Sequence, residues 1–231
     1  TDFNFNREIE ERKERMKRII TEESNYEEFP IMTNHEKHYG CDTKILKELK
    51  DQFDYAKKSK AKTFCMRYDV RFPQEEYNHT DNKKVREFQA TFMKTLKREG
   101  YRPQYVLVRE QSREKHQHYH GVLLLDGNKT QNITKHINTA ERLWNKALGL
   151  EYEVQPGNQR AGHGLIDDCT HDRQGSPHEN GIMLRRDDPL FDEKQKEAFR
   201  RASYLAKVNQ KSSNPKGVRE IFSSRIPKEK D

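Results

Sequence analysis

The chain has 231 residues, of which 36% are charged and 31% hydrophobic, and its formal net charge is +7. This length suits one core of catalytic size with extensions, and the positive excess favours a polyanionic partner, most simply nucleic acid. No apolar run approaches the roughly 20 residues that span a bilayer, and no signal peptide is evident. The three cysteines form no CxxC pair, which fits reduced thiols. We therefore expect a soluble, cytoplasmic protein without a membrane partner.

The first 60 residues are dense in charge and predict helices. Hydrophobic side chains fall on one stripe in REIEERKERMKRIITEE (7–23) and again in KILKELKDQFDYAKK (44–58), with a loop between them. We predict that residues 1–60 form a helical N-terminal extension or accessory subdomain, with an extended arm as the alternative.

From residue 61 the sequence predicts alternating strands and helices. KTFCMRYDVRFP (62–73) alternates with period two, which predicts a strand that ends at its proline. The helix DNKKVREFQATFMKTLKREG begins at a cap residue, Asp81 or Asn82, and stops at Gly100. YRPQYVLVRE and HQHYHGVLLLD predict two strands of an antiparallel hairpin, because the linker between them is short.

Three more elements complete the predicted fold. NITKHINTAERLWNKALG predicts a helix, NGIMLRR a short strand and DEKQKEAFRRASYLAKV a helix, whereas residues 151–180 and the tail from residue 209 lack a regular pattern. The order predicts an α+β fold in which helices pack on an antiparallel sheet with a central histidine-bearing strand. We assign residues 61–225 to this domain and residues 226–231 to a tail.

Histidines at alternate positions mark the predicted metal site. His116, His118 and His120 share one face of their strand, and the hairpin brings Glu110 back beside them. Two neutral imidazoles and a carboxylate with open coordination positions suit one Mg²⁺ or Mn²⁺ that acts as a Lewis acid on a phosphate. We take His118, His120 and Glu110 as the ligands, and His116 and Asp69 as candidates to support them. A solvated histidine face is the alternative.

Tyr204 is the candidate nucleophile. Tyr204 and Lys207 are three residues apart on the last predicted helix and therefore share a face, with Arg200 one turn earlier. A tyrosine flanked by cations is positioned to contact an anion, and the cations favour its phenolate form. An ordinary amphipathic tyrosine is the alternative.

Several basic residues are candidate DNA contacts. Arg67 and Arg71 share one face of the first predicted strand, although an exposed salt-bridged face would show the same pattern. Arg200 and Lys211 join them in the last helix and the basic tail. A zinc site in GHGLIDDCTHDRQGSPH is disfavoured because paired ligand spacing is missing.

Taken together, these motifs resemble those of the HUH endonucleases. A strand that carries HYH, followed downstream by a helix that carries YLAK, is similar to that superfamily. RYDVRF, YVLVRE, HYHGVLLL, ENGIMLRR and RASYLAKVNQK resemble the inovirus-type replication initiators of filamentous phages and prophages. The resemblance covers roughly residues 60–225 and leaves residues 1–60 outside.

The resemblance implies nicking and joining of single-stranded or hairpin origin DNA, which would initiate rolling-circle replication of a phage, plasmid or integrated mobile element. It implies that Tyr204 attacks a phosphate that one metal ion polarises, leaving a 5′-phosphotyrosyl link and a free 3′-hydroxyl. Lys207 would orient or neutralise that phosphate. Some relatives carry two tyrosines one turn apart. Here Arg200 and Val208 occupy the neighbouring turns, so termination would use a second protomer or the returning DNA end.

Other functions remain open from the sequence. No GxxxxGK[ST] motif occurs, so we expect strand opening to need a host or element-encoded helicase. A conjugative relaxase or a transposase would use the same residues. A non-catalytic origin-binding protein would tolerate Tyr204→Phe, whereas a nuclease that uses metal-activated water would tolerate Tyr204→Phe and fail on His118→Ala.

Overall fold

The fold was obtained as a computed structural model, which describes residues 18–34, 36–73, 81–111, 117–152, 164–172, 174–208, 214–215 and 217–228. The α-helices in these ranges are α1 (Thr43–Ser59), α2 (Lys83–Arg98), α3 (Ile133–Leu148) and α4 (Phe191–Ala202). The strands are β1 (Ile20–Thr21), β2 (Asn25–Tyr26), β3 (Phe29–Pro30), β4 (Cys41–Asp42), β5 (Lys62–Arg71), β6 (Gln104–Glu110), β7 (His118–Asp126), β8 (Ile166–Asp167), β9 (Ile182–Arg185) and β10 (Ile221–Ser223). No helix among them is long and apolar enough to cross a membrane.

Six strands form one antiparallel sheet with β7 at its centre. The strand order is β10-β6-β7-β5-β8, and β9 pairs with the first half of β5 while β8 pairs with its second half. The β6–β7 hairpin has the predicted antiparallel pairing. The prediction of an α+β fold with a central histidine-bearing strand is therefore confirmed.

Helices cover both faces of the sheet. Because successive side chains of a strand point to opposite faces, Tyr119, Leu123 and Leu125 of β7 enter one core with α2 and α3. Val122 and Leu124 enter the other core with α1 and α4. His118 and His120 lie on this second side, which we call the histidine face.

The region before residue 60 differs in part from its prediction. Helix α1 is confirmed: Asp42 caps it by accepting the amide N–H of Lys44 at 2.8 Å, and its apolar stripe packs into the core of the histidine face. The predicted helix over residues 7–23 falls outside the described residues up to residue 17. From residue 18 that prediction is wrong, since Ile20–Thr21 pairs as a strand with Cys41–Asp42. The division of the chain at residue 60 stays a prediction.

The C-terminal region corrects two more predictions. The stretch after residue 209 holds β10, which pairs with β6 at the edge of the sheet. The last α-helix ends at Ala202 instead of residue 208 and continues as a 3₁₀ turn over Ser203–Ala206. Lys207 then has an extended backbone and bridges to Cys41. The α-helix therefore ends six residues before its predicted end, where the chain pairs with the N-terminal segment.

Candidate functional site

The hairpin register brings Glu110, His118 and His120 together on the histidine face. Glu110 lies directly opposite His118. The Glu110 carboxylate oxygens are 3.3 Å from His118 Nε2 and 3.0 Å from His120 Nε2, and one ligand atom from each residue lies within 4.8 Å of the other two. Glu110 and His120 are buried, and His118 is half-buried. This group of two imidazoles and one carboxylate could bind a metal ion.

The surroundings of His120 fit such an ion. Both ring nitrogens of His120 are buried. Each faces a carboxylate: Glu110 lies 3.0 Å from Nε2, and Asp69 lies 2.8 Å from Nδ1. Burial lowers the pKa of His120, and the two carboxylates raise it by more, so the pKa is above its ordinary value. A cation bound by Nε2 and Glu110 would satisfy this buried nitrogen and balance the carboxylate charge.

Asp69 supports His120 from the neighbouring strand. It pairs in register with His120, and its carboxylate lies 2.8 Å from His120 Nδ1, on the side of the ring away from Glu110. Burial opposes ionisation of Asp69, but His120, Arg67 and Cys169 outweigh it and hold its pKa well below the ordinary value. An ionised carboxylate on Nδ1 fixes the orientation of a ligand imidazole. The Asp69 carboxylate thus lies beside Nδ1 of one candidate metal ligand.

Tyr204 lies against the same group, on the 3₁₀ turn that follows α4. Its ring meets the His120 ring edge to face, with the centroids 5.1 Å apart. The Arg67 guanidinium carbon is 4.5 Å from the centroid of the Tyr204 ring, and Lys207 Nζ is 5.0 Å from it. The Lys207 amide N–H donates to the Tyr204 carbonyl at 3.2 Å, and this bond keeps the two residues close together. The phenol is thus flanked by two cations and an imidazole of the candidate metal site.

Contacts with the segment before α1 fix the position of this turn. Ser203 is fully buried; its hydroxyl accepts the Met32 amide N–H at 2.8 Å and donates to the Arg200 carbonyl at 2.6 Å. The Val208 amide N–H donates to the Gly40 carbonyl at 3.2 Å. Met32 and Gly40 therefore hold the backbone on both sides of Tyr204.

Aromatic packing anchors α4 itself. Phe199 is fully buried, with its ring centroid 4.5 Å from that of Phe29 and 5.4 Å from that of Phe53. Aromatic pairs of this kind contribute about 0.5–1.5 kcal/mol each beyond the area they bury. Phe29 belongs to β3 and Phe53 to α1, so residues before position 60 position the candidate nucleophile.

The other predicted site residues have different surroundings. Arg200 makes a two-pronged ion pair with Glu197, at 2.9 and 3.1 Å, and Arg71 pairs with Asp167 at 2.8 Å. Arg67, predicted as a DNA contact, is mostly buried and lies on the Tyr204 ring. The prediction for His116 and that for Lys211 fall outside the described residues.

Two residues that the sequence analysis did not assign to the site hold Arg67 and Asp69. The Asn180 side chain accepts the Arg67 amide N–H at 2.9 Å and donates to the Arg67 carbonyl at 2.8 Å. Cys169 contacts Asp69, and burial raises the pKa of its thiol well above the ordinary value. Asn180 belongs to the ENGIMLRR motif, which was the available signal. The sequence marks Cys169 only as part of a disfavoured zinc site, and its spacing gives no sign that it lies beside β5.

Comparison with known proteins places the chain in a family. Residues 21–220 match the model of the YagK/YfjJ C-terminal domain. No curated protein matches. The catalytic domain of the adeno-associated virus type 5 Rep protein is similar at 13% identity, over 61% of this chain and 97% of that one, with a TM-score of 0.24, which by itself does not establish a common fold. The family description does not name the inovirus-type initiators, so that resemblance stays a prediction. Since the match spans most of its length, the chain belongs to the YagK/YfjJ C-terminal domain family.

Proposed function

We propose that this protein is a metal-dependent endonuclease and strand transferase that nicks and rejoins single-stranded DNA through a phosphotyrosine intermediate. One observation carries the proposal. The Tyr204 ring lies 5.1 Å from the ring of His120, which belongs to the buried group that could bind a metal. A structural tyrosine would not need a neighbouring two-histidine, one-carboxylate group, and a simple metal site would not need a phenol between two cations.

The chain's residues divide the chemistry as follows. Glu110, His118 and His120 would hold one divalent ion, Mg²⁺ or Mn²⁺, which when bound supplies a positive charge to polarise the scissile phosphate. The Tyr204 oxygen would form a bond to phosphorus as the bond from phosphorus to the departing 3′ oxygen breaks, leaving a 5′-phosphotyrosyl link. The free 3′-hydroxyl could then prime synthesis. Rejoining reverses the exchange, so no external energy source is needed.

Arg67 and Lys207 would act on the charge of this exchange. Both lie beside the Tyr204 ring, at 4.5 and 5.0 Å from its centroid. Cations there stabilise the phenolate, the nucleophilic form of the side chain. Positioning and charge neutralisation supply most of the catalysis in phosphoryl transfer. These two cations are therefore the neutralising groups of the proposed reaction.

In biological terms, we propose initiation of rolling-circle replication of a phage, plasmid or integrated mobile element, in the cytoplasm of a bacterial host. The substrate would be single-stranded or hairpin origin DNA, and a helicase would open it. With Tyr204 as the one assigned nucleophile, termination would use a second protomer or the returning 3′ end. A conjugative relaxase or a transposase would use the same chemistry.

The test is covalent capture of DNA by the full chain. Circular single-stranded phage-type DNA and an origin hairpin are incubated with Mn²⁺ or Mg²⁺, and a DNA-linked band is sought on a denaturing protein gel. Tyr204→Phe should abolish the band and His118→Ala should reduce it at least about a hundredfold. Tyr39→Phe is the matched control, because the Lys207 ammonium also lies 5.7 Å from the Tyr39 ring centroid.

The other outcomes would each indicate a different function or a different nucleophile. Cleavage without an adduct that survives Tyr204→Phe would indicate attack by metal-activated water. Binding of origin DNA with no cleavage, unchanged in Tyr204→Phe, would indicate a non-catalytic origin-binding protein. An adduct lost in Tyr39→Phe and kept in Tyr204→Phe would move the nucleophile to Tyr39.

A further inference from the structure

A long basic groove lies away from the candidate metal site. It has a volume of about 1640 Å³ and runs between α2 and the C-terminal segment around β10. Among the described residues, eight lysines and arginines line it, against two acidic residues, Asp81 and Glu87. A concave surface with this excess of one charge concentrates a polyanion.

The cations of the groove are largely available for a ligand. Within the described residues, six of them have no carboxylate within ion-pair distance and all six are exposed: Lys83, Arg86, Lys94, Lys97, Arg219 and Arg225. By contrast, the arginines on the histidine face and on α4 pair with acids, as in Arg71–Asp167 and Arg200–Glu197. Exposed cations without a carboxylate partner along one groove are expected on a surface that binds an anion. They are not expected on a surface that its own salt bridges neutralise.

Four of these cations lie in a row along helix α2. Lys83, Arg86, Lys94 and Lys97 recur on one side of α2, and fourteen residues of helix separate the first from the last. At about 1.5 Å per residue this is a stripe of about 21 Å. In duplex DNA each strand carries one phosphate about every 3.4 Å, so the stripe could follow several successive phosphates.

Where the structure describes its lining, the groove offers no fully exposed aromatic ring on which the bases of a single strand could stack. Proteins that bind single-stranded DNA without sequence preference stack its bases on exposed aromatic rings. In the described part of the chain the aromatic residues that line the groove are Tyr55 and Tyr105, which are half-buried, and Phe222, which is buried beneath the Arg219 guanidinium. Phosphate contacts without a stacking platform suit a duplex backbone.

The sheet separates this groove from the metal site. Tyr105 and Leu107 of β6 line the groove, and strand alternation puts them on the face opposite Val108 and Glu110. A DNA strand bound at Tyr204 would therefore lie on the other side of the sheet from the groove. We propose that the groove is a second nucleic-acid site, which binds the backbone of duplex DNA flanking the nicked strand. The inference rests on the proposed function only in taking DNA as the polyanion.

The test compares two double variants of the full chain. Lys94→Glu/Lys97→Glu reverses charge inside the groove, and Lys129→Glu/Lys146→Glu makes the same charge change at exposed positions outside it. Binding of a fluorescein-labelled 20-base-pair blunt duplex is followed by fluorescence anisotropy at several salt concentrations. We expect the groove variant to lose at least about tenfold in affinity and to show a shallower salt dependence, while the control loses less than about threefold. Circular dichroism melting confirms that both variants are folded.

The outcomes separate this inference from the proposed function. Equal duplex affinity in the two variants would overturn the groove site. An equal loss of affinity for a single-stranded oligonucleotide would overturn the duplex assignment. Adduct formation on a short single-stranded oligonucleotide tests Tyr204 chemistry independently, and the groove variant should retain it. If no adduct forms with any variant but the duplex result holds, the second site stands and the nicking function fails.

Discussion

Arg67 and Tyr204 are 137 positions apart in the sequence and lie in contact, with the guanidinium carbon 4.5 Å from the ring centroid. Arg67 is held at two further points: Asn180 binds its backbone, and the Asp69 carboxylate lies 3.3 Å from its guanidinium. A side chain held this way loses little further entropy when a charged ligand arrives. The Arg67 guanidinium is therefore a pre-positioned cation beside the candidate nucleophile.

The first prediction is that Arg67→Met reduces formation of the DNA adduct. Methionine keeps part of the aliphatic length but removes the charge, and a desolvated cation on an aromatic ring is worth up to about 2 kcal/mol. We expect the rate constant for adduct formation to fall about tenfold or more, measured in single-turnover gel assays. Arg71→Met, on the same face of β5 but paired with Asp167, is the control and should fall less than about threefold. Equal losses in the two variants would assign Arg67 to general DNA attraction.

The second prediction concerns the support of His120. Asp69→Asn replaces the ionised carboxylate 2.8 Å from His120 Nδ1 by a neutral amide. Loss of such a partner typically weakens metal binding by 10- to 100-fold. Titration of Mn²⁺ by isothermal calorimetry should show this loss. Asp167→Asn, which changes the residue paired with Asp69 in the next strand, should bind Mn²⁺ like the wild type. An unchanged affinity in Asp69→Asn would leave Asp69 with a purely structural role.

Much of the fold could be predicted because local periodicity determines it. The period-two pattern of β5 sufficed to predict a strand, and the short linker between β6 and β7 sufficed to predict their pairing and with it the meeting of Glu110 and His118. Strand β10 escaped prediction because three residues carry no period, and it exists through pairing with β6. The early end of α4 could not be predicted for a similar reason: the bridge of Lys207 to Cys41 is a tertiary contact, which local periodicity does not show.

The candidate site likewise contains residues that sequence spacing predicts and residues that only the fold brings together. His118, His120 and Glu110 are adjacent through one hairpin, so sequence spacing was enough to bring them together. Arg67 is predicted only as a DNA contact because nothing in the sequence shows that the turn after α4 lies against β5. The contacts of Cys169 and Asn180 depend on a loop with no periodic signal, in which Cys169 takes a positive φ of 52°. Only the folded arrangement shows that these residues support β5.

The third prediction tests the packing beneath the histidine strand. Gly121 faces Tyr68 across β5 and β7, and a Cβ at this position would come within 2.5 Å of the Tyr68 ring. Tyr68 cannot easily yield, because it is buried and its hydroxyl donates to Gln89 at 3.0 Å. Gly121→Ala should lower the free energy of unfolding by about 1–3 kcal/mol in urea denaturation. In a Tyr68→Leu background the same substitution should cost clearly less. Additive effects of the two substitutions would contradict the close contact.

The fourth prediction is a dependence of stability on pH that arises from His136. This residue is 1% exposed in α3, its Nε2 lies 2.8 Å from Thr130 Oγ1, and burial followed by the nearby Lys135 lowers its pKa from 6.5 to about 4. The His136 ring meets the Tyr101 ring edge to face, with the centroids 4.8 Å apart, and Glu99, the smallest of the three causes, raises the pKa. The folded state therefore binds the proton less tightly than the unfolded state does.

That difference fixes the sign of the effect. The stability from neutral His136 is fully present above pH 6.5 and is lost as the pH falls from 6.5 towards 4, by on the order of 3 kcal/mol in all. Urea denaturation between pH 4 and 7.5 should show wild-type stability falling more steeply with acid than that of His136→Gln, which cannot take up the proton. The curves should run parallel above pH 6.5. If they stay parallel down to pH 4, His136 is accessible to protons in the folded protein, and its assigned burial is wrong.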